Sequence, residues 1–192
     1  MSVLLTRRLE LVPITLELVE AVLLDHRGDV ARVAGARLPE AWPGPALVER
    51  AFSASLDAIR ADPDGRLWGD RLMITRGDDR RVVGSVVFHG RPCARGLVEI
   101  GYGVEGASQG QGYGVEAVCA SVDWAFTQPE VHAVTATTPP WHTASVRILE
   151  RAGLRPVGWS YHETLGDLRL FERLRFVAPP EVGVMSQVHA PR

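Results

Sequence analysis

Three glycines in one short turn carry the clearest chemical signal in this chain. The turn, Gln109-Gly110-Gln111-Gly112-Tyr113-Gly114, follows a β-prone stretch from Leu97 to Val104 and precedes an apolar helix pattern that starts at Val115. The first N–H groups of a helix have no partner within the helix and lie at the positive end of its dipole. Glycines also let the backbone approach a ligand closely. The turn therefore predicts a site for a phosphate or pyrophosphate group.

Two common phosphate-binding motifs do not fit this turn. The dinucleotide fingerprint G-x-G-x-x-G lies near the first strand of a βαβ unit, whereas Gly110, Gly112 and Gly114 are evenly spaced and lie past the middle of the chain. The P-loop requires a lysine, and the chain has none. From spacing alone, a glycine-rich loop without a ligand is the alternative.

Length and composition are those of one ordinary globular domain. The chain has 192 residues, of which 46% are hydrophobic and 23% charged, and its net charge of −2 gives no general attraction for nucleic acid or anionic membranes. No apolar run reaches the ~18 residues of a membrane span, and the N-terminus lacks signal-peptide features. Cys93 and Cys119 form neither a disulfide framework nor a CxxC metal motif. We therefore expect a cytoplasmic protein without a metal.

Periodicity predicts the strands and helices that position the turn. Strands are expected at 4–12, 67–76, 81–89, 97–104 and 131–137, with a closing hairpin at 154–163 and 167–176. Helices are expected at 15–24, 29–36, 46–61, 115–127 and 143–152. Proline and glycine predict a loop at 38–45 and a turn at 62–65.

Several short motifs, taken in order, make the chain resemble a known family. They are Arg8-Leu9-Glu10-Leu11, Leu38-Pro39-Glu40-Ala41-Trp42-Pro43, Val83-Gly84-Ser85-Val86-Val87-Phe88-His89-Gly90, Glu99-Ile100-Gly101-Tyr102, Glu116-Ala117, and the run from His142 to Leu154. With the glycine turn, which fits Q/R-x-x-G-x-G/A, they resemble the RimJ/RimL-like branch of the GNAT superfamily of acyl-CoA N-acyltransferases. The resemblance covers about residues 4–175.

The resemblance implies an α/β fold and acetyl-CoA as co-substrate. The expected fold is a mixed, mostly antiparallel, V-splayed sheet of about seven strands flanked by helices, with the domain at 1–177 and a flexible tail at 178–192. The pantetheine arm would bind backbone groups near Tyr102 and Val104, and a backbone N–H near Val104 would polarise the thioester. The pyrophosphate would bind the N–H groups of Gln109, Gly110, Gln111, Gly112, Tyr113 and Gly114, with His142 and Ser145 also at the cofactor.

Two residues are candidates for the base that an attacking amine requires. Glu99 comes first, because GNAT enzymes often place a carboxylate on this strand; a solvent-facing residue or an arginine partner is its alternative. His142 comes second, since a neutral imidazole accepts a proton near pH 7. It stands where the family usually has Asn, and a hydrogen-bonding substitute for Asn is the favoured interpretation. The tyrosine that some GNAT enzymes use as a general acid would fall at Leu149, so that role is absent or filled elsewhere.

Other polar and aromatic residues near the expected site are interpreted mainly as structural. His89 ends a strand and could line the acceptor side, although a structural role is the more common one. Glu116 lies in the first helical turn, where the helix dipole favours a carboxylate. The loop from Leu38 to Pro45 and the Leu165-Gly166 hairpin are expected to flank the acceptor pocket. Trp42 is expected to form its aromatic wall, with core packing as the alternative.

The function implied by the resemblance is acetyl-CoA-dependent N-acetyltransfer to a primary amine by direct attack on the thioester. The acceptor would be a protein N-terminus or a small-molecule amine, with no nucleic acid or membrane as partner and a homodimer left open. The alternative is a non-catalytic acyl-CoA-binding or sensing module, because His142 and Leu154 both depart from the family pattern.

Overall fold

A mixed β-sheet with helices on both faces forms the described part of the chain, residues 2–43 and 56–176 of a computed structural model. The strands are β1 (Leu4–Leu5), β2 (Leu9–Pro13), β3 (Arg71–Thr75), β4 (Val82–Phe88), β5 (Leu97–Val104), β6 (Ala133–Thr138), β7 (Arg155–His162) and β8 (Gly166–Leu174). The helices are α1 (Leu16–Leu23), α2 (Arg27–Ala34), α3 (Leu56–Ala61), α4 (Pro63–Arg66), α5 (Tyr113–Ala125) and α6 (Thr143–Arg151). A short 3-10 helix spans Gly106–Ser108.

The sheet order is β1-β2-β3-β4-β5-β6-β8-β7. Strands β5 and β6 are parallel, and the other neighbouring strands are antiparallel. This arrangement confirms the expected mixed, mostly antiparallel sheet. The described sheet has eight strands rather than about seven, because the N-terminal segment contributes a two-residue strand of its own.

Two hydrophobic clusters hold helices against opposite faces of the sheet. On one face, Val118 and Val122 of α5 and Leu149 of α6 pack with Ile100 and Phe171. On the other face, residues of α1, α2 and α3 pack on β3 and β4, among them Leu18, Val30, Ile59, Leu72 and Val87. The helices therefore fix the positions of β4 and β5 from both sides, and these are the strands that carry the candidate site.

Most element boundaries lie within two residues of the sequence prediction, and three elements differ by more than that or in kind. The strand predicted at 4–12 is two antiparallel strands, because the chain turns back between Leu5 and Leu9. The Thr6 hydroxyl supports this turn by accepting from the Leu9 N–H at 2.9 Å. The turn predicted at 62–65 is helix α4, capped by the Asp62 carboxylate on the Gly65 N–H. The strand predicted from 67 begins only at Arg71.

Three predictions reach beyond the described residues. Of the helix predicted at 46–61, the structure describes α3 (Leu56–Ala61). Of the loop predicted at 38–45, it describes residues 38–43, and the predicted tail at 178–192 is not described. None of the helices in the described ranges is long and apolar enough to cross a membrane. Within the same ranges, no cluster of three or more His, Cys, Asp or Glu side chains could hold a metal ion.

Candidate active site

The parallel strands β5 and β6 separate part of the way along their length and form a fork. They pair only at Leu97, Val98 and Glu99, opposite Ala133, Val134 and Thr135. Beyond that point β5 continues on β4 up to Val104, whereas β6 continues on β8 up to Thr138. The strands thus splay from the residue after Glu99, and the splay predicted for the sheet is present.

The backbone of β5 presents hydrogen-bonding groups to this fork. The His89 N–H donates to the Glu99 carbonyl at 3.1 Å and the Glu105 N–H to the Val83 carbonyl at 2.9 Å. Antiparallel pairing alternates along a strand, so the odd-numbered residues of β5 bond to β4 and the even-numbered ones face the other way. The N–H and C=O groups of Tyr102 and Val104 therefore point into the fork, where a ligand can pair with them like an added strand. The Val104 carbonyl already accepts from Gln109 Nε2 at 3.0 Å, so a ligand would share or replace that bond.

The glycine turn leads from β5 into the N-terminus of α5. Gly110 and Gly112 have φ of +72° and +82°, a left-handed conformation in which other residues are strained. Gly112 is the N-cap and makes no side-chain cap bond, and the first helical bond runs from the Glu116 N–H to the Gly112 carbonyl. The helical N–H groups before Glu116 thus remain available to an anion.

A hydrogen-bond network between the N-terminal segment and α5 holds this turn in place. Both oxygens of Glu116 are used: the Thr6 hydroxyl and the Arg8 backbone N–H each donate to Oε1 at 2.6 Å, and Arg8 Nε donates to Oε2 at 2.7 Å. Arg8 Nη1 then reaches the Gln111 carbonyl at 2.8 Å. Burial opposes ionisation of Glu116, but these hydrogen bonds and the Arg8 charge outweigh it and lower the pKa of the carboxyl. Glu116 is structural, as predicted.

A cleft of about 640 Å³ runs from the fork to the glycine turn. Its lining includes Tyr102, Val104, Gln109, Gly110, Gly112, Tyr113, Gly114, His142 and Ser145, nearly all of the residues expected at the cofactor. Arg147 and Arg151 of α6 also line it, and sequence reasoning did not single them out. Their spacing of four residues places two cations on one helix face, a signal that could have found them.

His142 and Ser145 are joined at the start of α6, and Tyr102 reaches them from β5. His142 is the N-cap, with its Nδ1 accepting from the Ser145 N–H at 3.3 Å. The imidazole thus makes a hydrogen bond that caps α6, a bond that an Asn side chain could also make. The Tyr102 hydroxyl lies 2.8 Å from Ser145 Oγ. Burial raises the pKa of Tyr102 to about 12, against the opposing effect of the Ser145 bond, so the phenol stays protonated.

Glu99 lies where the fork begins, on the sheet face opposite to α5 and α6. Its Oε1 accepts from the Thr137 hydroxyl at 2.9 Å, and Thr137 itself lines the cleft. Its Oε2 lies 3.5 Å from Nδ1 of His89. The structure thus brings Glu99 to the fork but leaves it apart from His142, on a face where it meets a different histidine.

Trp42 does not line the cleft. Its side chain is 4% exposed and packs among the residues of α1, α2 and α3. The hypothesis that Trp42 forms the wall of an acceptor pocket is therefore wrong, and core packing is correct. The Leu165-Gly166 hairpin is a turn at the outer edge of the sheet, and no residue of it lines the cleft.

Comparison with known proteins agrees with the fold and identifies the family. Residues 8–155 match the family model described as the acetyltransferase (GNAT) domain. Two relatives from Bacillus subtilis are named as N-acetyltransferases: YjcK is 29% identical over 62% of this chain and 82% of its own length. YjdG is 31% identical over 44% of this chain, and the match covers half of the length of YjdG.

Solved structures share the fold at low sequence identity. A GNAT-family acetyltransferase from Bordetella pertussis has a TM-score of 0.64 and 21% identity, covering 90% of this chain and 99% of that one. RimL, the ribosomal L7/L12 α-N-protein acetyltransferase in complex with coenzyme A, has a TM-score of 0.59 and 15% identity, covering 90% and 98%. The microcin C7 self-immunity acetyltransferase MccE in complex with acetyl-CoA and AMP has a TM-score of 0.57 and 15% identity, covering 88% and 93%. The chain belongs to the GNAT family of N-acetyltransferases, which take acetyl-CoA as the acetyl donor.

Proposed function

We propose that the protein transfers an acetyl group from acetyl-CoA to a primary amine at the fork between β5 and β6. One observation carries this proposal: the unpaired edge of β5 leads directly into a glycine turn whose helix N–H groups have no side-chain cap. An extended amide-containing arm ending in a pyrophosphate matches both features in the order in which they occur.

The residues of the cleft fit acetyl-CoA along its length. Tyr102 and Val104 offer backbone groups to the pantetheine amides, and the turn from Gln109 to Gly114 offers N–H groups to the pyrophosphate. Arg147 and Arg151 supply positive charge for the remaining phosphate. Gly114 must be small for a different reason, since a Cβ there would lie 2.9 Å from Ile148 Cδ1 and 3.3 Å from Val104 Cγ2.

The chain's own groups supply the chemistry around the donor. Acetyl-CoA provides a thioester that an amine attacks, and CoA leaves as the thiol. The Val104 N–H is placed to polarise the acyl oxygen, and Glu99 receives the proton of the amine or positions the group that does. His142, whose Nδ1 is engaged in capping α6, organises the helix start beside the cofactor.

The acceptor and the branch are proposed on similarity. We place the protein in the RimJ/RimL-like branch because its motif order matches that branch and RimL shares its fold. A protein N-terminus is then the first acceptor class and a small amine the second. The domain is proposed to cover residues 1–177, and a cytoplasmic location and a homodimer stay predictions.

A panel of amines tests the proposal. Purified protein is incubated with acetyl-CoA and either spermidine, aminoglycosides or short peptides with free N-termini, and thiol release is followed with acceptor mass spectrometry. Thiol release matched by acetylation of one acceptor class supports the proposal. CoA binding by calorimetry without acetylation of any amine would instead support a non-catalytic acyl-CoA-binding module.

A further inference from the structure

A histidine outside the predicted catalytic set stands beside Glu99. His89 directly follows β4, and its N–H donates to the Glu99 carbonyl, so the two residues form a hydrogen-bonded cross-strand pair. Side chains of such a pair lie on the same face of the sheet. The carboxylate and the imidazole accordingly meet, with Nδ1 of His89 3.5 Å from Oε2 of Glu99 and the side chains 46% and 36% exposed.

The contacts of Glu99 leave the histidine as the freer proton acceptor. Oε1 of Glu99 is occupied by the Thr137 hydroxyl, and Oε2 faces His89. The other ring nitrogen, Nε2 of His89, lies above Gly101, 3.8 Å from where a Cβ on that residue would stand. Gly101 lines the cleft just beyond the point where β5 and β6 separate. Nε2 therefore lies over a residue that lines the cleft, although His89 itself does not line it, while Nδ1 faces the carboxylate.

We propose that His89 is the base for the acceptor amine and that Glu99 is its positioning residue, an assignment that rests on the proposed function. Nε2 of neutral His89 takes a proton from the amine nitrogen, and Glu99 holds the Nδ1–H and stabilises the resulting imidazolium. The amine nitrogen forms the bond to the acyl carbon, the bond from that carbon to sulfur breaks, and sulfur leaves with the electron pair. The proton given up by nitrogen balances the one that the thiol gains.

The chemistry of the two side chains supports this division of roles. A general base works best when its pKa lies near the operating pH, and an ordinary imidazole meets that condition better than an ordinary carboxylate. A carboxylate bonded to one imidazole nitrogen fixes the tautomer that leaves the other nitrogen free, as in hydrolytic triads. Among the described residues, Glu99 is the one acidic group within ion-pair distance of the His89 ring. Asp70, on the β3 side, is buried and accepts the Phe88 N–H.

Kinetics of His89→Gln, Glu99→Gln and the double variant test the assignment, with His132→Gln, a change at an exposed histidine outside the cleft, as the matched control. With the best acceptor of the amine panel, His89→Gln is expected to lower kcat by about 10²- to 10⁴-fold. It should also remove the ascending limb of the pH profile, and the double variant should be little worse than His89→Gln alone. His132→Gln should behave as the wild type. Equal kcat for His89→Gln and the wild type, with Glu99→Gln impaired, would overturn the inference and make Glu99 the base itself.

Ring NMR of His89 in the free protein gives a readout that does not depend on turnover. Glu99→Gln is expected to change the ratio of the two neutral ring tautomers of His89, because the carboxylate that faces Nδ1 is lost. An unchanged tautomer ratio would contradict the pairing on which the inference rests. If the wild type acetylates no amine, the proposed function fails; if the wild type is active and His89→Gln is equally active, only this inference fails.

Discussion

Two substitutions at Gly112 distinguish the effect of an added negative charge in the glycine turn from the effect of an added side chain. Gly112 has φ of +82°, and a Cβ there would lie 3.3 Å from Arg8 Nη2, the flexible end of a side chain. Asn tolerates the left-handed conformation better than most residues, and Asp resembles it in shape and in this tolerance. Gly112→Asn and Gly112→Asp therefore share nearly the same strain and differ by one negative charge at the N-terminus of α5.

The charge difference has a calculable effect if a pyrophosphate binds here. A carboxylate about 5 Å from one phosphate charge is repelled by about 0.8 kcal/mol at the dielectric constant of water and about 3 kcal/mol at an effective value near 20. The Asp variant should therefore bind CoA roughly 4- to 150-fold more weakly than the Asn variant. Arg8 lies close to the new carboxylate and places the expected value in the lower part of that range.

Isothermal titration calorimetry of CoA with the wild type and both variants measures this ratio. The Asp-to-Asn ratio of Kd should shrink as salt rises from about 0.05 M to 0.5 M, because a partly exposed repulsion is screened. Equal affinity of the Asp variant and the wild type would refute the assignment of the pyrophosphate to this turn.

Three further outcomes follow from the buried and bonded groups. Glu99→Gln should lower kcat by about 10²- to 10⁴-fold without changing CoA affinity in calorimetry. His142→Asn should leave kcat nearly unchanged, because Asn also caps a helix. The opposite pattern would make His142 the base. Trp42→Ala should lower the free energy of unfolding, measured with denaturant, by about 3–5 kcal/mol and leave CoA affinity unchanged. Trp42→Phe should lower it less, because the indole N–H has no partner in the described structure. A raised acceptor KM at wild-type stability would instead show that Trp42 lines the acceptor pocket. The pKa of Tyr102 is about 12 in the folded protein and about 10 when unfolded, so its contribution to stability should be complete below pH 10 and decline as the pH rises to 12. The decline should be smaller in Tyr102→Phe. Identical curves of unfolding free energy against pH for the two proteins would contradict the burial argument.

Local patterns in the sequence were sufficient to predict the strand that carries the site and the turn that follows it. The run from Leu97 to Val104 and the glycines up to Gly114 act within a few residues of one another, and β5 and α5 form there as expected. The fork itself came from the family resemblance, since pairing of β5 with β6 depends on residues more than 30 positions apart.

Contacts between distant segments account for what the sequence did not reveal. Glu116 looked like a residue placed by the helix dipole, but its partners Thr6 and Arg8 are 110 and 108 positions away. The meeting of His89 with Glu99 depends on the register of β4 on β5, which no spacing pattern specifies. Trp42 was misplaced because an aromatic residue in a proline-rich loop gives no local sign of which surface covers it.

Amide hydrogen exchange with and without CoA tests most directly whether the fork and the glycine turn hold the donor. CoA is expected to slow exchange at the Tyr102 and Val104 N–H groups, which point into the fork, and at the helical N–H groups from Tyr113 to Val115. Exchange at β2 and β3, on the far side of the sheet, should change little. Protection confined to residues outside the cleft, with the amides of Tyr102, Val104 and the α5 N-terminus unchanged, would show that the donor binds elsewhere.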